Sequence, residues 1–285
     1  MMTFKIYIIL NILVCIKGAP NKTCNSIKIQ DRWYEKEILW ANLGRPFNLY
    51  AHKTSNKVFF SYTVPETYSD VDFQLAYIDL ETREFQNIAG IRGGCSVAID
   101  QGNDEIYLGG SDGIYKYNMM TKLADFYKES GKNIWALFFR RNLFYISYPD
   151  QRLHIEVDGK FAVVKEFENF EVDHFHVTVD HENIYFANKT GFYNYDNDRL
   201  RVNVINDVMT VRQISEDNDG DLYVCTNLGV FIDLKNEGFK KVLDFKNIYS
   251  LTFDKDNNVI VSDEKRIIKL KHTTTGCPDN VSTHW

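Results

Sequence analysis

EIYLGGSDGIYKYN, residues 105–118, reads as two short strands joined by a reversal. Ile106, Tyr107 and Leu108 form one apolar run, and Ile114, Tyr115 and Tyr117 form the next. The Gly-Gly-Ser-Asp-Gly between them supplies the permissive backbone of a tight hairpin. The pattern returns at residues 183–196 (NIYFANKTGFYNYD) and at 221–234 (DLYVCTNLGVFIDL). Three copies point to a repeat architecture.

Working outward from these hairpins gives six units, starting at Phe47, Gly94, Ile134, His174, Val211 and Ile248, 37 to 47 residues apart. That is the spacing of four-stranded propeller blades. Each unit opens with a short apolar strand: FNLYAHK, GCSVAID, IWALFFR, HFHVTVD, VRQISED and IYSLTFD. Second and third strands follow in every unit. A fourth strand is visible in five units and absent from the sixth. Residues 36–43 (KEILWANL) stand alone before the first unit and can supply that missing strand, closing the ring. The sequence therefore predicts an all-β, six-bladed β-propeller of four-stranded blades, the last blade closed by an N-terminal strand. Residues 63–73 form an extended hairpin loop.

Composition agrees with many half-buried strands, with 17 Tyr and 20 Phe against 5 Pro. Lys5 followed by the apolar run 6–16 reads as a secretory signal cleaved near Gly18 or Ala19. The expected layout is a signal over 1–18, one propeller domain over 19–280 and a tail over 281–285. The formal net charge is −6, and loss of Lys5 and Lys17 with the leader makes it more negative. An acidic surface argues against nucleic acid and anionic membrane as partners. A secreted, extracellular monomer is expected.

Cys24, Cys95, Cys225 and Cys277 remain after the leader, and four cysteines allow three pairings. Cys24 with Cys277 would clasp the two ends, contributing about 4–5 kcal/mol in the chain-entropy picture. Cys95 with Cys225 then follows by elimination, the alternative being two buried thiols. Sequons at Asn21, Asn188 and Asn280 mark glycosylation positions, Asn188 in the hairpin turn equivalent to Ser111.

No nucleophile elbow, phosphate loop or zinc motif is present, so neither a catalytic residue nor a cofactor is assigned. Residues 217–221 (DNDGD) resemble a calcium loop, but their equivalents in other units are simple Asx-type turns. Hydrolytic propellers hold a metal on carboxylates and amides at the tops of the innermost strands. Here those positions are Asn48, Cys95, Trp135, Phe175, Arg212 and Tyr249, which make no metal set. Flat aromatics with an Arg and hydrogen-bonding groups suit instead a planar, aromatic, anionic ligand. The candidate ligand residues are Asn48, Trp135, Phe175, His176, Arg212 and Tyr249. Packing between blades is the competing reading of the aromatics.

The chain resembles the ommochrome-binding proteins of lepidopteran haemolymph. The likeness rests on IYLGGSDGIYKYN (106–118), NIWALFF (133–139), YSLTFDKDNNVIVSDE (249–264) and WYEKE (33–37), and spans about Cys24 to Cys277. It implies a secreted haemolymph carrier of phenoxazinone pigments, which are flat, aromatic and acidic. A metal-dependent lactonase-like propeller and a protein-interaction propeller are the alternatives.

Overall fold

The computed structural model describes residues 26–29, 32–42, 44–64, 73–180, 183–196, 198–235, 237–244, 247–274 and 276. The expected leader and tail, Asn21, Cys24, Cys277, Asn280 and most of the 63–73 loop lie outside them. Among the described residues six antiparallel sheets form, five of them from four consecutive strands and the sixth from the two ends of the chain. Their first strands are Pro46–His52, Ser96–Asp100, Asn133–Arg140, His174–Val177, Val211–Glu216 and Ser250–Phe253. Each first strand touches the first strands of both neighbours, so the six close a circle around a channel. The chain is a six-bladed propeller.

Alternation along the strands sends side chains to both faces of each sheet, and the apolar ones meet between blades. Six buried clusters result, one in each blade–blade interface. Phe59, Phe60, Phe186 and Phe192 are fully enclosed in them.

The ring closes as the isolated N-terminal run predicts, with two differences. The closing strand is longer, Arg32–Ala41, and pairs antiparallel with Arg266–Thr273. A further strand, Ser26–Ile29, adds outside it, so blade six has five strands. Ile27 and Ile29 bury their side chains between blades five and six, which the short, polar-flanked SIKI run did not advertise.

The three repeated hairpins turn where the glycines fall. Gly110 pairs with Gly113, Asn188 with Gly191 and Thr226 with Gly229, leaving two-residue loops. Asn188 thus ends its strand in the place of Gly110, one residue before the Ser111 equivalent. Gly229 has φ +126, and a Cβ there would lie 2.3 Å from the Leu243 carbonyl oxygen. Asx chemistry shapes the turns at the other face: Asp217 Oδ1 accepts from the Asp219 and Asp221 amides, and Asp254 Oδ1 from those of Asp256 and Asn258.

Gly229→Ala is expected to lower the unfolding free energy by about 1–3 kcal/mol, the usual cost of a side chain held in a forbidden backbone region. Urea denaturation of the folded variant measures it; an unchanged midpoint would show that the turn relaxes freely.

Candidate functional site

Every blade begins its first strand with one residue too many. In blade three Ile134 pairs with Ser147 and Ala136 with Ile146, leaving Trp135 unpaired. In blade five Val211 pairs with Thr226 and Gln213 with Cys225, leaving Arg212. Blade one breaks register between Phe47 and Tyr50, and Asn48 there has φ +50. In blades two, four and six the amides of Cys95, Asp173 and Tyr249 donate to Gly109, Ala187 and Ser262, the same residues that pair with the next position along. Such bulges re-aim side chains out of the sheet plane. Here they aim six residues at one mouth of the channel: Asn48, Cys95, Trp135, Asp173, Arg212 and Tyr249.

All six line a single cavity of about 200 Å³, with Phe47, Phe73 and His174 beside them. Below it lies a void of about 30 Å³ bounded by Asn48, Ser96, His174 and Gln213. The channel is therefore a cup with a floor. That floor is tied by hydrogen bonds: Gln213 Nε2 donates to the Leu49 carbonyl at 3.0 Å, Ser250 Oγ donates to Gln213 Oε1, and the Leu49 amide donates to Ser250 Oγ at 2.7 Å.

Two guanidinium groups gather on Tyr249, that of Arg212 lining the cavity. The Arg212 and Arg45 guanidinium carbons stand 4.2 and 4.5 Å from the centre of the Tyr249 ring, which Phe47 meets edge-on at 5.7 Å. Arg212 Nη1 donates to the Ile248 carbonyl at 2.5 Å, fixing the guanidinium over the ring. Trp135 lies across the mouth, 37% exposed and 5.8 Å from Tyr148. Asn48 Nδ2 donates to the Cys95 carbonyl at 2.7 Å. Burial raises the Asp173 carboxyl above the usual range, helped by Glu171 and opposed by Lys189 and a hydrogen bond from Gln151. Burial also pushes His174 down to about 4, so it faces the cup as neutral imidazole at pH 7.

Four of the six residues expected from sequence, Asn48, Trp135, Arg212 and Tyr249, come together in the cup. The other two do not. Phe175 is 9% exposed and packs on Phe138, Phe144 and Phe167 between blades three and four. His176 is buried toward the opposite end of the channel, 3.2 Å from Glu216 Oε2, which also receives Arg140 Nη2 at 2.5 Å and the Val179 amide on its other oxygen. The fourth blade was read two residues late: its ring residue is Asp173, preceded by buried Val172 as Trp135 is preceded by buried Ile134. Asp173 is the cavity-lining residue that sequence reading missed, and Arg45 stands next to the cavity on the Tyr249 ring.

The elimination pairing of Cys95 with Cys225 also fails, because both thiols are free, Cys225 in the core between blades five and six and Cys95 at the cup. Cys95 Sγ donates to the Ile134 carbonyl at 2.9 Å, and Cys225 Sγ to that of Ile248 at 3.5 Å. Burial lifts both thiols to about 12. The Asn188 side-chain amide donates to the Glu171 carbonyl at 3.1 Å. Among the described residues no three His, Cys, Asp or Glu side chains gather as a metal site. A larger hollow of about 540 Å³ beside blade six has no aromatic lining and mixes Asp244, Asp263 and Glu264 with Lys265 and Arg266.

Burial lowers the pKa of His52, His154, His174 and His176 alike. The unfolded chain then binds more protons than the native one as pH falls below about 6.5, so native stability drops across that range. Urea midpoints should decline from pH 6.5 toward 4, and His174→Gln should flatten the slope. A midpoint independent of pH over this interval would contradict the burial of these rings.

No protein-family model matches the chain. Among solved structures, a gluconolactonase from Xanthomonas campestris superposes with a TM-score of 0.68 at 9% identity, covering 86% of this chain and 91% of its own. A Bacteroides thetaiotaomicron protein of unknown function gives 0.65 at 12%, covering 84% and 72%. At these identities the likeness shows the propeller fold alone. The ommochrome-binding protein of Manduca sexta is 29% identical over 252 residues, which is 86% of this chain and 90% of that protein. Over nearly its whole length, then, this propeller is a homologue of a protein named for binding an ommochrome.

Proposed function

We propose that the chain is a secreted, monomeric carrier that binds an ommochrome-type phenoxazinone pigment non-covalently in the cup at the channel mouth. The observation that carries this reading is the bulge-built ring itself. It gathers the aromatic side chains of Trp135, Phe47 and Phe73 with the Arg212 guanidinium in one cavity, Arg45 standing beside it over the Tyr249 ring. A planar ring gains by stacking and by excluding water, and an acidic group gains a charged hydrogen bond at the guanidinium wall. The Manduca sexta homologue supports a binding role rather than a reaction.

Pigment added to the purified protein should acquire a shifted visible band that is lost on denaturation. Arg212→Ala should weaken an anionic pigment by about 1.5–3 kcal/mol. Trp135→Ala should weaken it as well by removing a stacking surface, with the fold intact by circular dichroism. A folded pair of variants with wild-type affinity would place the pigment elsewhere. Metal-dependent lactone turnover abolished by a chelator would replace the carrier reading with an enzymatic one.

A further inference from the structure

In blade four the strands Ile184–Asn188 and Gly191–Asp196 are joined by the two-residue loop Lys189-Thr190. Asn188, Lys189 and Thr190 make a sequon, and of the chain's three sequons this is the one that falls within the described residues. The matching hairpins of blades two and five have Gly110 and Thr226 in its place and carry no sequon. The loop stands at the cup end of the propeller. Ala187, just before it, accepts the Asp173 amide at 2.8 Å, and Lys189 acts on the Asp173 carboxyl. Blade three stands alongside, with the exposed rings of Trp135 and Tyr148 at its own mouth end.

The local geometry suits attachment of a sugar. Lys189 and Thr190 are both exposed, and Asn188 is partly so. Asn188 Oδ1 accepts from the Thr190 amide at 2.8 Å and from the Thr190 hydroxyl at 2.7 Å. The carboxamide is thus oriented by the residue that completes the sequon. Asn188 Nδ2 has two hydrogens, and among the described residues it donates to the Glu171 carbonyl at 3.1 Å. Glycosylation replaces one of those hydrogens and leaves the other, so the bond to Glu171 and the turn both persist in the modified side chain.

We propose that Asn188 carries an N-linked glycan rooted on the rim of the cup. Nδ2 bonds to C1 of the first sugar, the bond from C1 to the diphosphate of a lipid-linked oligosaccharide breaks, and the displaced amide proton leaves with the lipid diphosphate. The inference rests on the secreted part of the carrier reading, because that donor is met on the secretory route. A glycan is bulky and solubilising. Rooted here, it sets a hydrophilic mass beside the exposed Trp135 and Tyr148 rings at the entrance to the cup.

The full chain, expressed in cultured insect cells and recovered from the medium, tests the inference. A peptide N-glycosidase acting in heavy-oxygen water should increase its gel mobility and leave an isotope-labelled aspartate at position 188, found by peptide mass spectrometry. Thr190→Ala keeps Asn188 and should abolish that label, and Thr190→Ser should retain it. The wild-type chain alone decides the matter even where a variant fails to fold. Secreted protein without the label at position 188 would overturn the inference and leave the carrier reading standing. Unmodified protein held in the cytosol would overturn both the inference and the secreted reading. Labelled protein that binds no pigment would uphold the glycan and remove the carrier reading.

Discussion

Six sheets arranged around an axis leave six inner edges with backbone groups that no strand covers, and buried backbone groups must find partners. In this propeller side chains cover them, handed on from blade to blade. Asn48 donates to Cys95 in blade two, and Cys95 Sγ to Ile134 in blade three. Arg140 donates to Val177 in blade four at 3.1 Å, and His174 bonds to the Val211 backbone in blade five. Arg212 donates to Ile248 in blade six, and Ser262 Oγ returns to Pro46 in blade one at 3.1 Å. The circuit is complete, and it binds the blades at the axis while the apolar clusters bind them farther out.

The same residues build the cup. Asn48, Cys95, His174 and Arg212 each line the cavity and hold a neighbouring blade. Side chains fixed this way lose little freedom when a ligand arrives, which favours affinity through preorganisation. The arrangement also explains why the site lies at the bulges. An ordinary strand residue such as Phe175 points into a blade interface; the extra residue at each bulge is free of that alternation and turns toward the axis.

Much of this was legible in the sequence because period and turn chemistry are local properties. The glycines at 113, 191 and 229 fixed the hairpins, and the missing sixth outer strand explained the isolated N-terminal run. What escaped was non-local or irregular. Ser26–Ile29 is too short to announce itself and is a strand only because Arg32–Ala41 offers it an edge. Asp173 was missed because HFHV looked like the start of the fourth unit. Counting back from the hairpin glycine would have found it: Gly191 stands as far from Asp173 as Gly113 does from Cys95, and two residues nearer to Phe175. The placement of His176 followed from that same slip. The Cys95–Cys225 pairing failed because an even count says nothing about where in the fold each thiol is buried.

The circle is joined by its two ends. The strand Arg32–Ala41 lies along Arg266–Thr273, Leu39 enters the core between blades six and one, and Trp40 stacks on Phe85 at 4.7 Å. Tyr249 belongs to blade six and Arg45 to the start of blade one, so the cation–π contact at the cup wall crosses this joint. The cavity exists only once the last strand synthesised has met the first. A molecule seated there acts as a keystone: it binds the joined ring and not the open one. At a hundred times its dissociation constant, such a ligand would add about 2.7 kcal/mol to closure. A ligand in the cup would thus make the ring harder to open at this joint, and the closed joint would in turn hold the ligand.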